Sequence, residues 1–423
     1  MAERREGAAW KEGDKADLII RNARQLLTLA GPERPRWGAG MSNLGIIENG
    51  AVAAKDGRIV FVGKTDECLL ESEREIDATG RVVMPGFVDA HTHLVFAGSR
   101  EDEFALRLEG ASYIEIAERG GGIKSTVAST RLASRDELID TAEPRLDSML
   151  RWGTTTAEAK SGYGLNTETE IKILEAVKEL DAKHMVDLVP TYLGAHDFPP
   201  EFADNRDSYV SQVIEAIPEF SRRELAVFCD VFCEEGFFSV EQSRRILKAA
   251  SRHGLHLKVH ADELESSGGA ELAAKMRAVS ADHLARSSDA GLRAMKRAGT
   301  IAVLLPGTSF FLRKAPAPGR KMVQMGLPVA IASDYNPGSS PIGHMPIVIG
   351  LACLLFGFSP AEAITASTVN GAWAVGLGKE VGTLEPGKKA DVLILRSESY
   401  LEVPYWFGEN PVGMVVKNGK LAM

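Results

Sequence analysis

Residues 85–93 have the sequence Pro85-Gly86-Phe87-Val88-Asp89-Ala90-His91-Thr92-His93, an apolar strand that ends in two histidines one residue apart. Side chains alternate between the two faces of a strand, so His91 and His93 are expected to project from one face and to be able to hold one metal ion. A His-x-His pair alone is weak evidence, because ordinary strand histidines are common. The rest of the chain decides whether this pair belongs to a metal site.

Three later apolar stretches end in side chains of the same chemistry. His260 ends the stretch 255–260, His283 lies at the end of 278–284, and Asp334 ends 329–334. Imidazoles and a carboxylate at the C-terminal ends of different strands are the arrangement of a metal centre at the mouth of a parallel barrel.

Strands and helices alternate through the middle of the chain, which is typical of a parallel α/β fold. Helical periodicity separates most of the strands, for example at 168–180 and 240–253. Eight βα units are the content of a TIM (β/α)8 barrel, whose sites lie at the C-terminal ends of the strands. The eight predicted strands are 88–93, 155–160, 187–193, 226–233, 256–260, 278–283, 301–305 and 329–334.

Both ends of the chain have short β-type runs separated by turns, at 16–20, 50–54, 58–62, 390–395 and 412–420. Neither end has enough strands to bury a core alone, so we expect the two to pair into one small β-sandwich. The predicted domains are therefore a composite β-sandwich of residues 1–83 and 379–423 and a barrel of residues 84–378.

Composition restricts the possible partners and compartment. The net charge is -9 over 423 residues and no dense Lys/Arg cluster is present, so we expect a small-molecule substrate and neither nucleic acid nor a membrane as partner. Four cysteines without CxxC pairs, and a charged segment 1–17 without an apolar core, predict a reduced, cytoplasmic protein. The apolar stretch 347–358 is too short to span a bilayer and is expected to be a buried helix.

Six longer segments of the chain have a pattern that belongs to a known family. They are 90–98 (AHTHLVFAG), 120–127 (GGGIKSTV), 160–165 (KSGYGL), 192–196 (YLGAH), 260–263 (HADE) and 333–341 (SDYNPGSSP). On these segments the chain resembles the amidohydrolase superfamily, and within it the imidazolonepropionase family. The resemblance implies a distorted TIM barrel with a β-sandwich from both termini, a homodimer, and hydrolysis of the cyclic amide of 4-imidazolone-5-propanoate to N-formimidoyl-L-glutamate in histidine degradation.

The resemblance implies that one divalent ion, zinc or iron, is bound by His91, His93, His260 and Asp334, with one position left for water. This ligand set also suits manganese. Many relatives hold two metals bridged by a carbamylated lysine on the fourth strand. Lys160 lies on the second predicted strand, and the fourth offers no lysine, which favours a mononuclear centre.

The resemblance also assigns catalytic roles. Asp334 is expected to accept a proton from the hydrolytic water, and His283 to stabilise the tetrahedral oxyanion and move a proton. In the alternative, His283 only orients Asp334. Glu263 is expected to contact substrate and water. In the alternative, Glu263 is an ordinary surface glutamate.

Substrate contacts are expected in the loops that follow the strands. Arg100 has the fork geometry that pairs with a carboxylate tail. The other expected contacts are polar groups for the ring and for the carboxylates of substrate and product: Tyr163, His196, Glu263, Asn336, Gly338 and Ser339.

Three further groups of residues have structural interpretations. The glycine run 120–122 lacks the context of a phosphate site and is interpreted as a mobile loop. His256 and Lys258 share a strand face with His260 and are expected inside the barrel, where the buried lysine needs Glu158 or Asp230 as a partner. Cys229 and Cys233 are interpreted as small buried apolar residues.

Two alternative functions stay open at this point. One uses the same metal ligands, and the other uses no metal. A deaminase of a heterocyclic amine would use the same metal and strand ends, but the carboxylate-binding geometry of Arg100 speaks against it. A metal-free scaffold protein is the alternative from a different class, and the full ligand set speaks against that.

Overall fold

A computed structural model describes residues 15–110, 115 and 121–423 of the chain. The N-terminal part of the described chain consists of short strands that form sheets beside the barrel. The four-stranded sheet among them has the order β6-β5-β2-β8. These strands are β1 (Lys15–Ala16), β2 (Leu18–Ala23), β3 (Gln25–Leu27), β4 (Ile46–Ile47), β5 (Gly50–Lys55), β6 (Arg58–Lys64), β7 (Glu71–Ser72), β8 (Glu75–Asp77) and β9 (Val82–Pro85).

Eight parallel strands follow and pair in sequence order, as in the predicted barrel. They are buried on both faces, which explains why apolar residues occupy consecutive positions instead of alternating ones. The predicted barrel is confirmed. The strands are β10 (Phe87–Asp89), β11 (Thr154–Lys160), β12 (Asp187–Ala195), β13 (Phe228–Cys233), β14 (His256–Ala261), β15 (Ser280–His283), β16 (Ile301–Leu304) and β17 (Val329–Ile331).

Two strands end well before their predicted C-terminal ends, because β10 ends at Asp89 and β17 ends at Ile331. Beyond them the first and eighth strands join through the backbone of the residues that follow. The Asp334 N–H donates to the His91 carbonyl at 2.9 Å, and the His93 N–H donates to the Tyr335 carbonyl at 2.9 Å. The barrel therefore closes at the residues that carry its polar side chains.

Helices connect the strands. The predicted helices at 168–180 and 240–253 are confirmed, and both begin at a capping side chain: Asn166 accepts from the Thr169 N–H and Ser239 from the Gln242 N–H. The α-helices are Glu101–Leu108, Ile123–Leu132, Arg135–Arg151, Thr167–Lys183, Arg206–Arg222, Val240–Arg252, Gly269–Met276, Asp289–Ala298, Pro306–Phe311, Gly319–Met325, Met345–Phe356, Pro360–Ser367, Val369–Ala374 and Glu402–Tyr405. The 3-10 helices are Gly38–Ser42, Thr65–Glu67 and Pro200–Phe202.

The apolar stretch 347–358 forms a largely buried helix, as predicted, but the helix spans Met345–Phe356 and ends before Gly357. Across residues 15–110 and 121–423, no helix combines the length and the apolar character needed to cross a bilayer. Cys229 and Cys233 are free thiols and are buried, as predicted.

The C-terminal strands are β18 (Val392–Leu395), β19 (Val412–Lys417) and β20 (Lys420–Leu421). They complete a six-stranded sheet of order β20-β19-β18-β9-β3-β4, in which β18 runs antiparallel to β9. Its side chains pack against the four-stranded sheet in one apolar cluster that includes Ile20, Val52, Val83 and Ile394. The predicted sandwich from both termini is confirmed. The division at residues 83/84 and 378/379 stays a prediction, and 83/84 lies inside β9.

Candidate metal centre and substrate cavity

The structure brings His91, His93, His260 and Asp334 together at the C-terminal mouth of the barrel. Asp334 Oδ1 lies 3.5 Å from His91 Nε2 and 3.6 Å from His93 Nε2. The rings of His91 and His260 are 4.5 Å apart between centroids. Thr308 donates to Asp334 Oδ2 at 2.5 Å, which leaves Oδ1 facing the imidazoles. Nitrogen and carboxylate donors from three strand ends thus converge on one point.

Several ring nitrogens at this point are buried and lack a hydrogen-bond partner, among them Nε2 of His91 and Nε2 of His260. A buried nitrogen lone pair without a partner is costly, and a divalent cation bound between these atoms would satisfy it. Burial lowers the pKa of His91 and of His93 well below the ordinary histidine value. Both rings are therefore neutral at pH 7, as metal ligation requires.

For His260 and Asp334 the pKa is instead raised above its ordinary value. Burial alone would lower the pKa of His260, but the neighbouring Asp230 carboxylate raises it above the ordinary value. Burial raises the pKa of Asp334. A cation bound between these residues would oppose both effects, since it favours a neutral imidazole and an ionised carboxylate.

His283 and Glu263 lie beside this group. The His283 ring centroid is 5.2 Å from that of His260, and its Nδ1 is 3.5 Å from Glu263 Oε2. His283 and Asp334 both have a positive φ, 72° and 52°. Non-glycine residues rarely adopt this conformation, and such strain concentrates at functional sites. At the ends of β15 and β17 the backbone is thus bent to turn two polar side chains toward one place.

A cavity of about 1030 Å³ opens above these residues. Its wall also contains groups that the sequence analysis did not single out: Arg107, Arg313 and Lys314, and the rings of Phe232, Phe237, Phe310 and Phe311. No spacing rule identifies them, because they come from separate strands, helices and loops of the barrel. The predicted site residues that line the cavity are His93, Arg100, Tyr163, His196, His260, Glu263, His283, Asp334, Asn336, Gly338 and Ser339.

Arg100 has an internal partner that the sequence analysis missed. Its Nε donates to Glu103 Oε2 at 2.9 Å, and the other oxygen of Glu103 accepts the Gly122 N–H at 2.9 Å. The free edge of Arg100 faces Gly338, where a Cβ would lie 2.0 Å from Nη1. A glycine is thus required at position 338 for the guanidinium to stay where it is. Gly120 of the predicted mobile loop lies outside the described residues.

Tyr163 and His196 form one wall of the cavity. The His196 ring stacks on His93 with centroids 4.9 Å apart, and its Nδ1 donates to the Gly162 carbonyl at 3.0 Å. Burial lowers the pKa of His196 to about 3. The ring is neutral with its proton on Nδ1, so Nε2 is an acceptor.

The turn after Asp334 is organised by Asn336. Its Oδ1 accepts the N–H groups of Gly338 and Ser339, both at 2.8 Å, and its Nδ2 donates to the Asp334 carbonyl at 2.5 Å. These N–H groups already have an acceptor in this structure. The side chain of Asn336 therefore fixes the position of Asp334.

Beneath the histidines lie five fully buried charged residues, which we call the buried charge cluster: Glu158, Lys160, Asp230, Lys258 and Asp282. Lys258 lies 3.1 Å from Glu158, one of its two expected partners, whereas Asp230 pairs with Lys160 at 2.7 Å. The expectation for His256 is wrong, because it lies exposed at the start of β14. Asp282 escaped the sequence analysis, although a carboxylate inside a short buried strand was a usable signal.

A sequence profile of the amidohydrolase family matches residues 82–422. The chain belongs to the amidohydrolase family. Within the family its relatives are imidazolonepropionases. The one from Geobacillus kaustophilus is 52% identical over 414 residues, 96% of this chain and 98% of that protein. The one from Brevibacillus brevis is 53% identical over 413 residues, 96% and 97% of the two chains, and the one from Parabacteroides distasonis is 49% identical over 415 residues, 97% and 100%.

Solved amidohydrolase-like structures have the same fold. A zinc-bound adenosine deaminase from Xanthomonas campestris superposes with a TM-score of 0.72 at 18% identity, covering 97% of this chain and 94% of that one. A triazine hydrolase variant superposes with a TM-score of 0.74 at 18% identity, covering 96% and 94%. At this identity the likeness concerns the fold alone. Amidohydrolases are metal-dependent, and the unpartnered histidine nitrogens of this member fit that requirement.

Proposed function

We propose that this amidohydrolase opens the ring of 4-imidazolone-5-propanoate with water and releases N-formimidoyl-L-glutamate. The observation that carries the proposal is the convergence of His91, His93, His260 and Asp334, with unpartnered Nε2 atoms, at the base of a cavity that contains Arg100. Relatives about 50% identical over nearly the whole chain have the name of this activity.

The proposed cofactor is one divalent ion, zinc or iron, held by these four residues. Such an ion polarises a carbonyl and lowers the pKa of the water beside it toward neutrality. A second ion bridged by a carbamylated Lys160 is disfavoured, because carbamate formation needs a neutral amine. Burial would lower the pKa of Lys160, but Asp230, Glu158 and Asp282 raise it above the ordinary value, so the amine stays charged.

Proton movement is assigned to Asp334, His283 and Glu263. Asp334 Oδ1 faces the imidazoles while Thr308 occupies Oδ2, so Oδ1 is the oxygen that accepts a proton from the attacking water. His283 donates to the oxyanion that forms on the ring carbonyl, and Glu263, 3.5 Å from it, orients that imidazole and the substrate. The proton then passes to the departing ring nitrogen as the amide bond breaks.

Substrate binding is assigned to the loops around the cavity. Arg100 pairs with the propanoate, and Tyr163 and His196 contact the ring from the opposite wall. Of the three residues predicted for carboxylates of substrate or product, Ser339 offers its hydroxyl, whereas Asn336 holds the turn and Gly338 leaves room for Arg100. The proposal also includes a cytoplasmic location, which rests on the cysteine composition. It includes a homodimer as well, which rests on the family resemblance and which light scattering of the purified protein tests.

The test is turnover of synthetic 4-imidazolone-5-propanoate by the purified protein. We expect loss of the imidazolone absorbance and a product heavier by one water, with no release of ammonia. Asp334→Asn is the matched control and should lose this activity. Ammonia release from a heterocyclic amine, with no reaction of the imidazolone, would establish the deaminase instead. Metal binding without either reaction would establish a protein that has kept the site but not the activity.

A further inference from the structure

The buried charge cluster lies in direct contact with two of the proposed metal ligands. Asp282 Oδ2 is 2.6 Å from His91 Nδ1, and Asp230 Oδ2 is 2.9 Å from His260 Nδ1. Asp230 Oδ1 also accepts the backbone N–H of His260 at 3.1 Å. In both histidines the nitrogen that faces the cluster is Nδ1, so Nε2 is the atom turned toward the proposed metal position.

Lys160 is the residue that the two aspartates share. Its Nζ lies 2.7 Å from Asp230 Oδ2, 3.7 Å from Asp282 Oδ2 and 2.9 Å from Glu158 Oε1. All of these side chains are fully buried. An isolated carboxylate at such a depth is unfavourable and would not keep its position. A neighbouring ammonium holds it in place.

A metal-bound histidine is held by what its other ring nitrogen contacts. A carboxylate at Nδ1 fixes the tautomer and the ring orientation and makes Nε2 a stronger donor. We propose that Lys160 is a positioning residue of the metal centre, which holds Asp230 and Asp282 so that they fix the rings of His260 and His91. This inference rests on the proposed metal site and assigns it a group that does not touch the ion.

Lys258 provides a matched control. It lies on β14, is equally buried, and pairs with Glu158 at 3.1 Å and with the Ala90 carbonyl at 3.0 Å. Its Nζ is 4.0 Å from Asp282. Removing its charge therefore disturbs the same core but leaves the contact between Lys160 and Asp230.

The experiment measures the dissociation constant of zinc by competition with a chromophoric chelator, and the free energy of unfolding of the metal-free protein. Lys160→Met is expected to weaken zinc binding by about 10-fold to 100-fold, the usual effect of losing such a supporting contact. Lys258→Met is expected to change it by less than about 3-fold, even where both variants lose similar stability. Equal zinc affinity of Lys160→Met and the wild type, or equal weakening by both variants, would overturn the inference.

A double-mutant cycle covers the case in which Lys160→Met alone does not fold. Asp230→Asn leaves the cluster with one carboxylate fewer, and Lys160→Met with Asp230→Asn removes both partners of the pair. Lys160 is closer to Asp230, at 2.7 Å, than to Asp282, at 3.7 Å, so most of its effect should pass through Asp230. The double variant should then bind zinc within about 3-fold of Asp230→Asn alone. A further loss of 10-fold or more in the double variant would contradict that coupling. Failure of the wild type to bind any metal would instead overturn the proposed function.

Discussion

Glu170→Gln is expected to disorganise one wall of the cavity from a position outside it. Glu170 is buried in the first turn of the helix Thr167–Lys183. Its Oε2 accepts the Gly162 N–H at 2.8 Å, and its Oε1 accepts the N–H groups of Gly164 at 2.7 Å and Leu165 at 2.8 Å. One carboxylate thus satisfies three backbone donors of the loop that carries Tyr163.

The magnitude follows from the number of acceptors. Glutamine has one oxygen, which can keep the bonds to Gly164 and Leu165, but its NH2 group then faces the Gly162 N–H. A buried donor left without an acceptor costs about 1–3 kcal/mol, and the two remaining bonds lose their charge assistance. We expect a loss of roughly 2–4 kcal/mol in the free energy of unfolding. Because Gly162 also accepts from His196, KM for the imidazolone should rise together with this loss.

Glu168→Gln is the control, since Glu168 is exposed in the same helical turn. It loses the same charge near the helix N-terminus, which is worth less than about 1 kcal/mol. Urea denaturation of both variants measures the difference, and steady-state kinetics measures KM. If the two variants lost equal stability and kept the wild-type KM, the assignment of Glu170 to the cavity wall would be refuted.

Four other predictions concern the site itself. Chelation should remove one metal ion per chain together with activity, and elemental analysis showing two ions per chain in active protein would contradict the mononuclear centre. Glu263→Gln and His283→Ala should each lower turnover by roughly 10²-fold to 10⁴-fold with metal content unchanged, so loss of metal would place the residue among the ligands instead. Arg100→Ala should raise KM, at a cost on the order of 2–4 kcal/mol, while an analogue without the propanoate should be insensitive to it. Gly338→Ala should act in the same direction, because its Cβ would displace Arg100, and a normal KM in that variant would exclude the contact.

The sequence predicted the strand order and the polar residues at the strand ends, because both depend on local patterns. Eight apolar runs separated by helical periodicity leave few arrangements other than a barrel. A side chain such as His260 at the end of a run must then lie at its mouth. The lengths of β10 and β17 were overestimated, since the positive φ of Asp334 is decided by barrel closure and not by residue type.

Contacts between distant parts of the chain could not be predicted. The partner of Arg100 is Glu103, one turn further along a helix, but nothing in the sequence says that this pair faces a cavity. The pairing of Asp282 with His91 joins two strands that are not adjacent in the barrel. Inward positions on buried strands are recognisable, whereas the pairing among them depends on the barrel's three-dimensional register.

The closure between the first and last barrel strands has a consequence for how the protein is made. His91 and His93 are synthesised with the first barrel strand, but their backbone partners Asp334 and Tyr335 emerge only after the other seven strands have been made. The sandwich has the same dependence, because β9 pairs with β18. A chain that has not reached Asp334 holds only the three histidines of the proposed ligand set, so tight metal binding must wait until the eighth barrel strand is made. An ion bound there would join both ends of the barrel and make their separation less favourable.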